Sequence, residues 1–383
     1  MDPLTPKQRM LNAYRGLFSD RTPVAPEFWY YFPARVLGVS MMEFERELPF
    51  WQSLQTVFRK YGTEGWGAAF PDVVHADLSK RSTLARISEG RYRETTETDF
   101  RGRLFTTTKI YDAHEPCWVE KRFVAEGESP AEALDMLLSP GNTLEVGPMN
   151  HAHRSVGEDY LLEAWLGTPF FDFLAELMGF ESAVLYFAEE EPAVLEGTRQ
   201  RYIASQKEVV RRICRDTPYE SFVIGCSYSC NSLIGPAMWR RWDKPYLQEM
   251  ADEIHRHGKL LHIHFHGRAM ETISDFAEIG IDCVCPFERS PGGDVDGVEG
   301  LRQVRALLRD RTTMNGNVHT VETLIRGTPE QVRREVREIR EAFSGSARLI
   351  IGTGDQVGGE TPEENILAMI EEAQLPNGIP NRP

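Results

Sequence analysis

The chain has 383 residues, 41% of them hydrophobic and 26% charged, with a formal net charge of -15 at neutral pH. That length and mix exclude a disordered chain and suit a large α/β core, and the negative field argues against nucleic-acid or anionic-membrane partners. No apolar run approaches a membrane span and the N-terminus lacks the apolar core of a signal peptide. The expectation is therefore a cytoplasmic protein whose six cysteines are free thiols or ligands rather than a disulfide scaffold.

In chain order, residues 1–24 read as an amphipathic helical extension that starts near Lys7, and Glu27-Phe28-Trp29-Tyr30-Tyr31-Phe32 as a first strand. From about residue 86 to 125 the chain is rich in Thr, Arg and Glu, with alternating Phe100, Leu104, Thr106 and Ile110 and a tight turn at Arg101-Gly102-Arg103. This predicts an antiparallel hairpin excursion. Ser129-Pro130-Ala131-Glu132 opens a helix.

Beyond residue 180 short apolar strands alternate with helices, the pattern of a parallel sheet with crossover helices. The predicted strands are Ser182 to Phe187, Ser221 to Cys226, Lys259 to His264, Ile281 to Pro286, Thr312 to Asn317 and Ala347 to Gly352. Thr328-Pro329-Glu330-Gln331 supplies an N-cap threonine, a first-turn proline and a capping-box glutamine, followed by Val332, Val336, Ile339 and Phe343 at helical spacing; Thr361-Pro362-Glu363-Glu364 repeats the pattern. With no short repeat and no flexible linker, residues 1–383 are read as one domain.

Leu260-Leu261-His262-Ile263-His264-Phe265-His266-Gly267 carries three of the ten histidines at every second position, which in an extended chain puts all three on one face. Imidazole ligates metals and titrates near neutrality, so the triplet points to chemistry. Active sites of parallel barrels sit at the C-terminal ends of the strands. Here those ends carry Cys226 and Cys230, His264 and His266, Cys285 and Glu288, Asn315 and Asn317 with His319, and Asp355. The cysteines also suit small core positions, Asn315 and Asn317 suit turn geometry, and Asp355 suits a loop brace.

Several segments together resemble the uroporphyrinogen decarboxylase superfamily, which also holds zinc-dependent methyltransferases acting on methylated corrinoids. They are His257-Gly258-Lys259 ahead of His264-Phe265-His266-Gly267, Gly280-Ile281-Asp282, Pro291-Gly292-Gly293-Asp294, Gly316-Asn317-Val318, Gly327-Thr328-Pro329-Glu330-Gln331-Val332 and Thr361-Pro362-Glu363-Glu364-Asn365. The resemblance covers roughly the C-terminal half and implies a (β/α)8 TIM-type barrel with its site at the mouth. The decarboxylases carry an Arg-Gln-Ala-Gly-Arg-Tyr signature near the N-terminus, where this chain reads Phe28-Trp29-Tyr30-Tyr31-Phe32-Pro33-Ala34-Arg35. The methyltransferases hold zinc with a His-x-Cys pair and a later cysteine. His264 and His266 stand at the pair and Asp355 near the later cysteine, which implies a zinc site of His264, His266 and Asp355.

The resemblance thus implies metal-dependent methyl transfer between a methylated corrinoid on a separate protein and a thiol acceptor or O-methyl donor. His262, Glu288 and Asn317 are the expected supporting or proton-handling groups, and Trp29, Tyr31, Arg35 and Arg289 the expected substrate contacts. The alternative is metal-independent decarboxylation of a tetrapyrrole or another carboxylated ring, with Arg35, Arg268 and Arg289 as the candidate cations. A third reading is a non-catalytic corrinoid-binding module.

Overall fold

The computed structural model describes residues 4–376. Its centre is an eight-stranded sheet, curled as a TIM-type barrel, in which every hydrogen-bonded pair of neighbours is parallel. In chain order the barrel strands are Val24–Ala25, Trp66–Ala69, Leu161–Trp165, Ser221–Cys226, Leu260–Phe265, Cys283–Pro286, Thr313–Val318 and Leu349–Thr353. The last five are the strands expected from their short apolar runs, each shifted by at most two residues. Between them run Gly235–Arg256, Ile273–Ile279, Gly297–Leu308 and Pro329–Ala342, the crossover helices that parallel pairing requires.

The helix Pro329–Ala342 forms as its sequence dictates. The Thr328 hydroxyl accepts from the Gln331 N–H, the Gln331 side chain accepts from the Thr328 N–H, and Val332, Val336 and Ile339 are fully buried. The second capping box does not form. Helix Glu363–Gln374 starts after Pro362 with no side-chain cap, and the buried Thr361 hydroxyl has no partner among the described residues.

Two predicted strands are helical or absent. Ser182–Phe187 lies inside the helix Phe180–Glu189, which rests Phe180 and Phe187 on Phe171; a short apolar run does not distinguish strand from helix, and here two rings seven residues apart meet the same partner, as helical spacing allows. The first barrel strand is Val24–Ala25 rather than Glu27 to Phe32. Phe28 stacks on Phe32 at 4.8 Å, and Pro33 sits in the first turn of the helix Tyr31–Leu37, where its missing N–H costs nothing.

The excursion is larger than a hairpin and begins earlier. Leu78–Ser88, Arg91–Phe100, Arg103–Asp112 and Trp118–Lys121 form a four-stranded antiparallel sheet. The outer strand Leu78–Ser88 is exposed on both faces, so it lacks the alternation that marks a half-buried strand. Arg101 (φ 53°) and Gly102 (φ 82°) make the tight two-residue connection expected there. The insertion leaves the barrel after its second strand and so stands on the mouth side.

The opposite end is closed by the N-terminal helix Pro6–Arg15. Met10, Ala13 and Tyr14 enter the barrel interior, the Thr313 hydroxyl donates to the Ala13 carbonyl at 2.7 Å, and the Arg348 guanidinium donates to the Tyr14 carbonyl at 2.9 Å. Lys7 reaches Glu220, just before the fourth strand, at 2.6 Å, and His153 approaches the same carboxylate at 3.2 Å. Burial pushes the Glu220 carboxyl up, but its hydrogen bonds with His153 and Lys7 outweigh burial and hold it down to about 2, against an ordinary 4.5. A carboxyl lowered by folding stabilises the fold above its unfolded pKa, and the benefit disappears as pH falls through the folded value. The stabilisation present above pH 4.5, at most about 3 kcal/mol before solvent screening reduces it, is therefore lost toward pH 2. Urea unfolding of the wild type and Lys7→Met should differ most near pH 6 and converge near pH 2. A difference that stays constant with pH would show that the ion pair is not its source.

Candidate functional site

The fifth strand, Leu260–Phe265, lies between the fourth and sixth with Gly225, His264 and Cys285 in register, and Val223, His262 and Cys283 one layer below. Strand alternation turns His262, His264, Cys283 and Cys285 into the barrel. Ile263 and Phe265 turn outward to the helices, where Phe265 packs on Trp239 and Phe276. His266 is the first residue past the strand. Gly267 follows at φ 72°, with a Cβ at that position only 2.5 Å from the Ser232 hydroxyl, so the turn needs glycine.

The inward side chains form one continuous chain of contacts from barrel interior to mouth. Glu163 Oε2 meets His262 Nδ1 at 2.8 Å, and His262 Nε2 meets Cys285 Sγ at 3.0 Å. Cys285 Sγ meets His264 Nδ1 at 3.0 Å, His264 Nε2 meets His266 Nε2 at 2.7 Å, and His266 Nδ1 meets Glu288 Oε1 at 2.8 Å. Between the two terminal carboxylates stand one thiol and three imidazoles, each with one hydrogen when neutral. Four hydrogens cannot serve five contacts. One junction must take an extra proton or a metal cation.

Carboxylates crowd the upper end. Glu27, just past the first strand, donates its N–H to the Thr353 hydroxyl at 3.1 Å, and its carboxylate lies 3.8 Å from His264 Nε2. That carboxylate is 6% exposed and has no hydrogen-bond donor among the described residues. Burial, with Asp355 and Glu288 nearby, pushes the Glu27 carboxyl well above its ordinary range, and burial also raises Asp355 despite the His266 ring. Burial beside two other imidazoles holds His264 well below its ordinary value. Burial opposes the His266 cation too, but Glu288 and Asp355 outweigh it and raise that pKa; Glu288 is lowered in turn because His266 and the Gly267 N–H overcome its burial. Among the described residues, the group of three whose ligand atoms all lie within 4.8 Å of one another is Glu27, His264 and Cys285, which shares His264 with the set expected from the sequence but not His266 or Asp355.

Of the residues singled out in the sequence, His264, His266 and Glu288 come together here, with Asp355 near enough for its charge to raise the His266 pKa. His262 is wholly buried beneath them, covered by Trp66 at 4.7 Å and Tyr14 at 5.6 Å between ring centres. Trp29 packs on Trp66 at 4.9 Å, and Trp66 lies 5.5 Å from His264, so these indoles wall one side. Across the mouth the Trp165 indole lies over Gly225, where a Cβ would come within 2.5 Å of it, and Phe70 lies 5.4 Å from that indole.

The remaining four are engaged by the protein itself. Tyr31 donates to Glu115 at 2.6 Å, and Arg35 donates to the Gly359 and Thr361 carbonyls at 2.6 and 2.8 Å while lying over Phe32. Arg289 pairs with Glu335 at 3.1 Å and donates to the Asn317 carbonyl; the Asn317 amide donates to the Phe287 and Val295 carbonyls, each at 3.0 Å. Sequence reasoning missed Glu27, Glu163 and the indoles Trp66 and Trp165. Glu163 did carry a signal, being the lone acid in the apolar run Leu161–Trp165.

Residues 220–375 match the family model described as uroporphyrinogen decarboxylase (URO-D). A uroporphyrinogen decarboxylase from Thermus thermophilus is 31% identical over 142 residues, 37% of this chain and 38% of that protein. One from Coxiella burnetii is 23% identical over 145 residues, 37% of each chain. The matched stretch thus spans little more than a third of these relatives' length. Among solved structures, a methyltransferase from Methanosarcina mazei superposes with a TM-score of 0.65 at 16% identity, over 97% of this chain and 98% of that one, a likeness of fold.

Proposed function

Because the chain is uroporphyrinogen decarboxylase-like over residues 220–375, we propose that it is an enzyme that uses a metal ion to transfer a methyl group between a methylated corrinoid on a partner protein and a thiol acceptor or O-methyl donor. The observation that carries this reading is the 2.7 Å contact between His264 Nε2 and His266 Nε2, amid the carboxylates of Glu27 and Asp355. Two neutral imidazoles that both carry their hydrogen on Nδ1 turn their Nε2 lone pairs to that junction and favour a cation there, and two imidazoles with a carboxylate are a suitable donor set for zinc. Held by His264, His266 and Asp355, zinc would lower the pKa of a bound thiol or polarise an ether oxygen.

The protein's own groups do the rest. Glu288 accepts from His266 Nδ1 and fixes its ring, the role a carboxylate commonly plays behind a ligating histidine. It is also the best-placed group to exchange a proton at the mouth. Trp29, Trp66 and Trp165 keep the interior side of the site apolar, which suits a flat or uncharged group more than a polyanion.

Decarboxylation of a carboxylated ring is the second reading, favoured by the decarboxylase relatives. It needs cations for the substrate's carboxylates. The fork of Arg35 is bound to backbone carbonyls and Arg289 is paired with Glu335, which leaves the exposed Arg268 and weighs against this reading. The deciding experiment is metal analysis of untagged protein, coupled to an assay with methylcobalamin and a panel of thiols followed by the cobalt spectrum. Near-stoichiometric zinc with demethylation is the expected result. Metal-free protein that releases carbon dioxide from a tetrapyrrole would replace this reading with the second.

A further inference from the structure

The hydrogen count leaves one junction without a hydrogen, but not which one. A cation at the junction of the two Nε2 atoms decides that. Glu163 Oε2 faces both the Tyr14 hydroxyl, at 3.4 Å, and His262 Nδ1, at 2.8 Å. As a carboxylate it can only accept, so His262 must carry its hydrogen on Nδ1 and present a lone pair on Nε2. With a cation on His264 Nε2, the His264 hydrogen sits on Nδ1 and is donated to the Cys285 sulfur at 3.0 Å, which leaves the S–H for the His262 lone pair, also at 3.0 Å. His264 is left with its lone pair on Nε2. From the other end, Glu288 accepts from His266 Nδ1, so His266 Nε2 also presents a lone pair, 2.7 Å from that of His264.

We propose that Glu163, His262 and Cys285 are positioning residues: a buried relay that holds His264 as its Nδ1–H tautomer and aims the Nε2 lone pair at the cation site it shares with His266. None of the three touches the mouth, since Glu163 and His262 are fully buried and Cys285 is 2% exposed. The relay accounts for a carboxylate and an imidazole buried where no substrate reaches. It also gives the cysteine a role that needs its one hydrogen and its acceptor lone pairs, not nucleophilicity. No bond is made or broken; the relay selects among tautomers. It rests on the metal reading, because the hydrogen bonds alone also allow His264 to donate from Nε2 to His266, and a cation at that junction is what favours the relay's tautomer.

Two measurements test it on the full-length protein. In zinc-loaded wild type labelled with 15N-histidine, long-range 1H–15N spectra should show His264 with a protonated Nδ1 and an unprotonated Nε2; an unprotonated Nδ1 overturns the relay. Zinc affinity, read by competition with a chromophoric chelator, should fall about 10- to 100-fold in Cys285→Ala. It should stay within about threefold of wild type in Cys285→Ser, whose hydroxyl keeps one donor and its acceptors. Equal losses in both variants, or none in Cys285→Ala, also overturn it. Zinc bound beside another tautomer overturns the relay alone, whereas wild type that binds no zinc overturns the metal reading and the relay with it.

Discussion

His264→Ala and His262→Ala, only two residues apart, are expected to fail in opposite ways. His264 is 14% exposed in its side chain and is held neutral, so its removal should cost the fold only about 1–2 kcal/mol. It supplies the central nitrogen of the cation site. Loss of an outer hydrogen-bond partner already lowers metal affinity about 10- to 100-fold, so loss of this ligand should lower it by at least about 100-fold and take methyl transfer with it. His262→Ala leaves Glu163 as a buried carboxylate with only the long 3.4 Å contact to Tyr14, and breaking such a buried pair typically costs about 3–5 kcal/mol. Chemical denaturation and metal analysis on the same preparations separate the two. Comparable destabilisation in both variants, with metal retained in His264→Ala, would remove His264 from the centre of the site.

That contrast could not be read from spacing alone. Alternation placed the three histidines on one face, and the strand ends pointed to His264, His266, Glu288 and Asp355; the structure brings the first three together, with Asp355 near enough for its charge to raise the His266 pKa. What spacing could not show is which groups from other strands meet them. Cys285 faces His264 because the sixth strand pairs with the fifth in that register, and a shift of one residue would have turned it outward. Glu163 comes from a strand nearly a hundred residues earlier, just after the inserted antiparallel sheet and two helices, so nothing local ties it to His262.

The first half was less legible for a related reason. Its barrel strands are short, only two residues at Val24–Ala25 and four at Trp66–Ala69, and the apolar residues beside them serve helices instead. Arg35 and Arg289 looked available as substrate cations because sequence reports charge but not engagement. Both are bound within the protein, one to two carbonyls and one to Glu335.

Those short first strands make Glu64→Ala the most damaging single change expected outside the site. The sheet runs from Val24–Ala25 round to Trp66–Ala69 without a ladder joining these two edges among the described residues, so side chains must close the barrel there. Glu64 bridges the seam. Its carboxylate, with no solvent exposure, accepts from the Val24 N–H at 2.9 Å, from Arg21 at 2.6 and 2.8 Å, and from Arg9 at 3.1 Å. Removing it strands a buried strand N–H and leaves Arg21, 19% exposed, without this partner; Arg9 keeps Asp20. Breaking a buried ion pair from one side typically costs about 3–5 kcal/mol, and the shift in denaturation midpoint should fall in that range. Glu64→Gln retains an acceptor for Val24 and should cost less, because it loses the charge but not the bridge. Since Glu27 follows the same two-residue strand, opening the seam should also displace its carboxylate from His264 and weaken metal binding in proportion. A shift below about 1 kcal/mol for Glu64→Ala, with metal affinity unchanged, would mean that packing of the N-terminal helix alone closes the barrel.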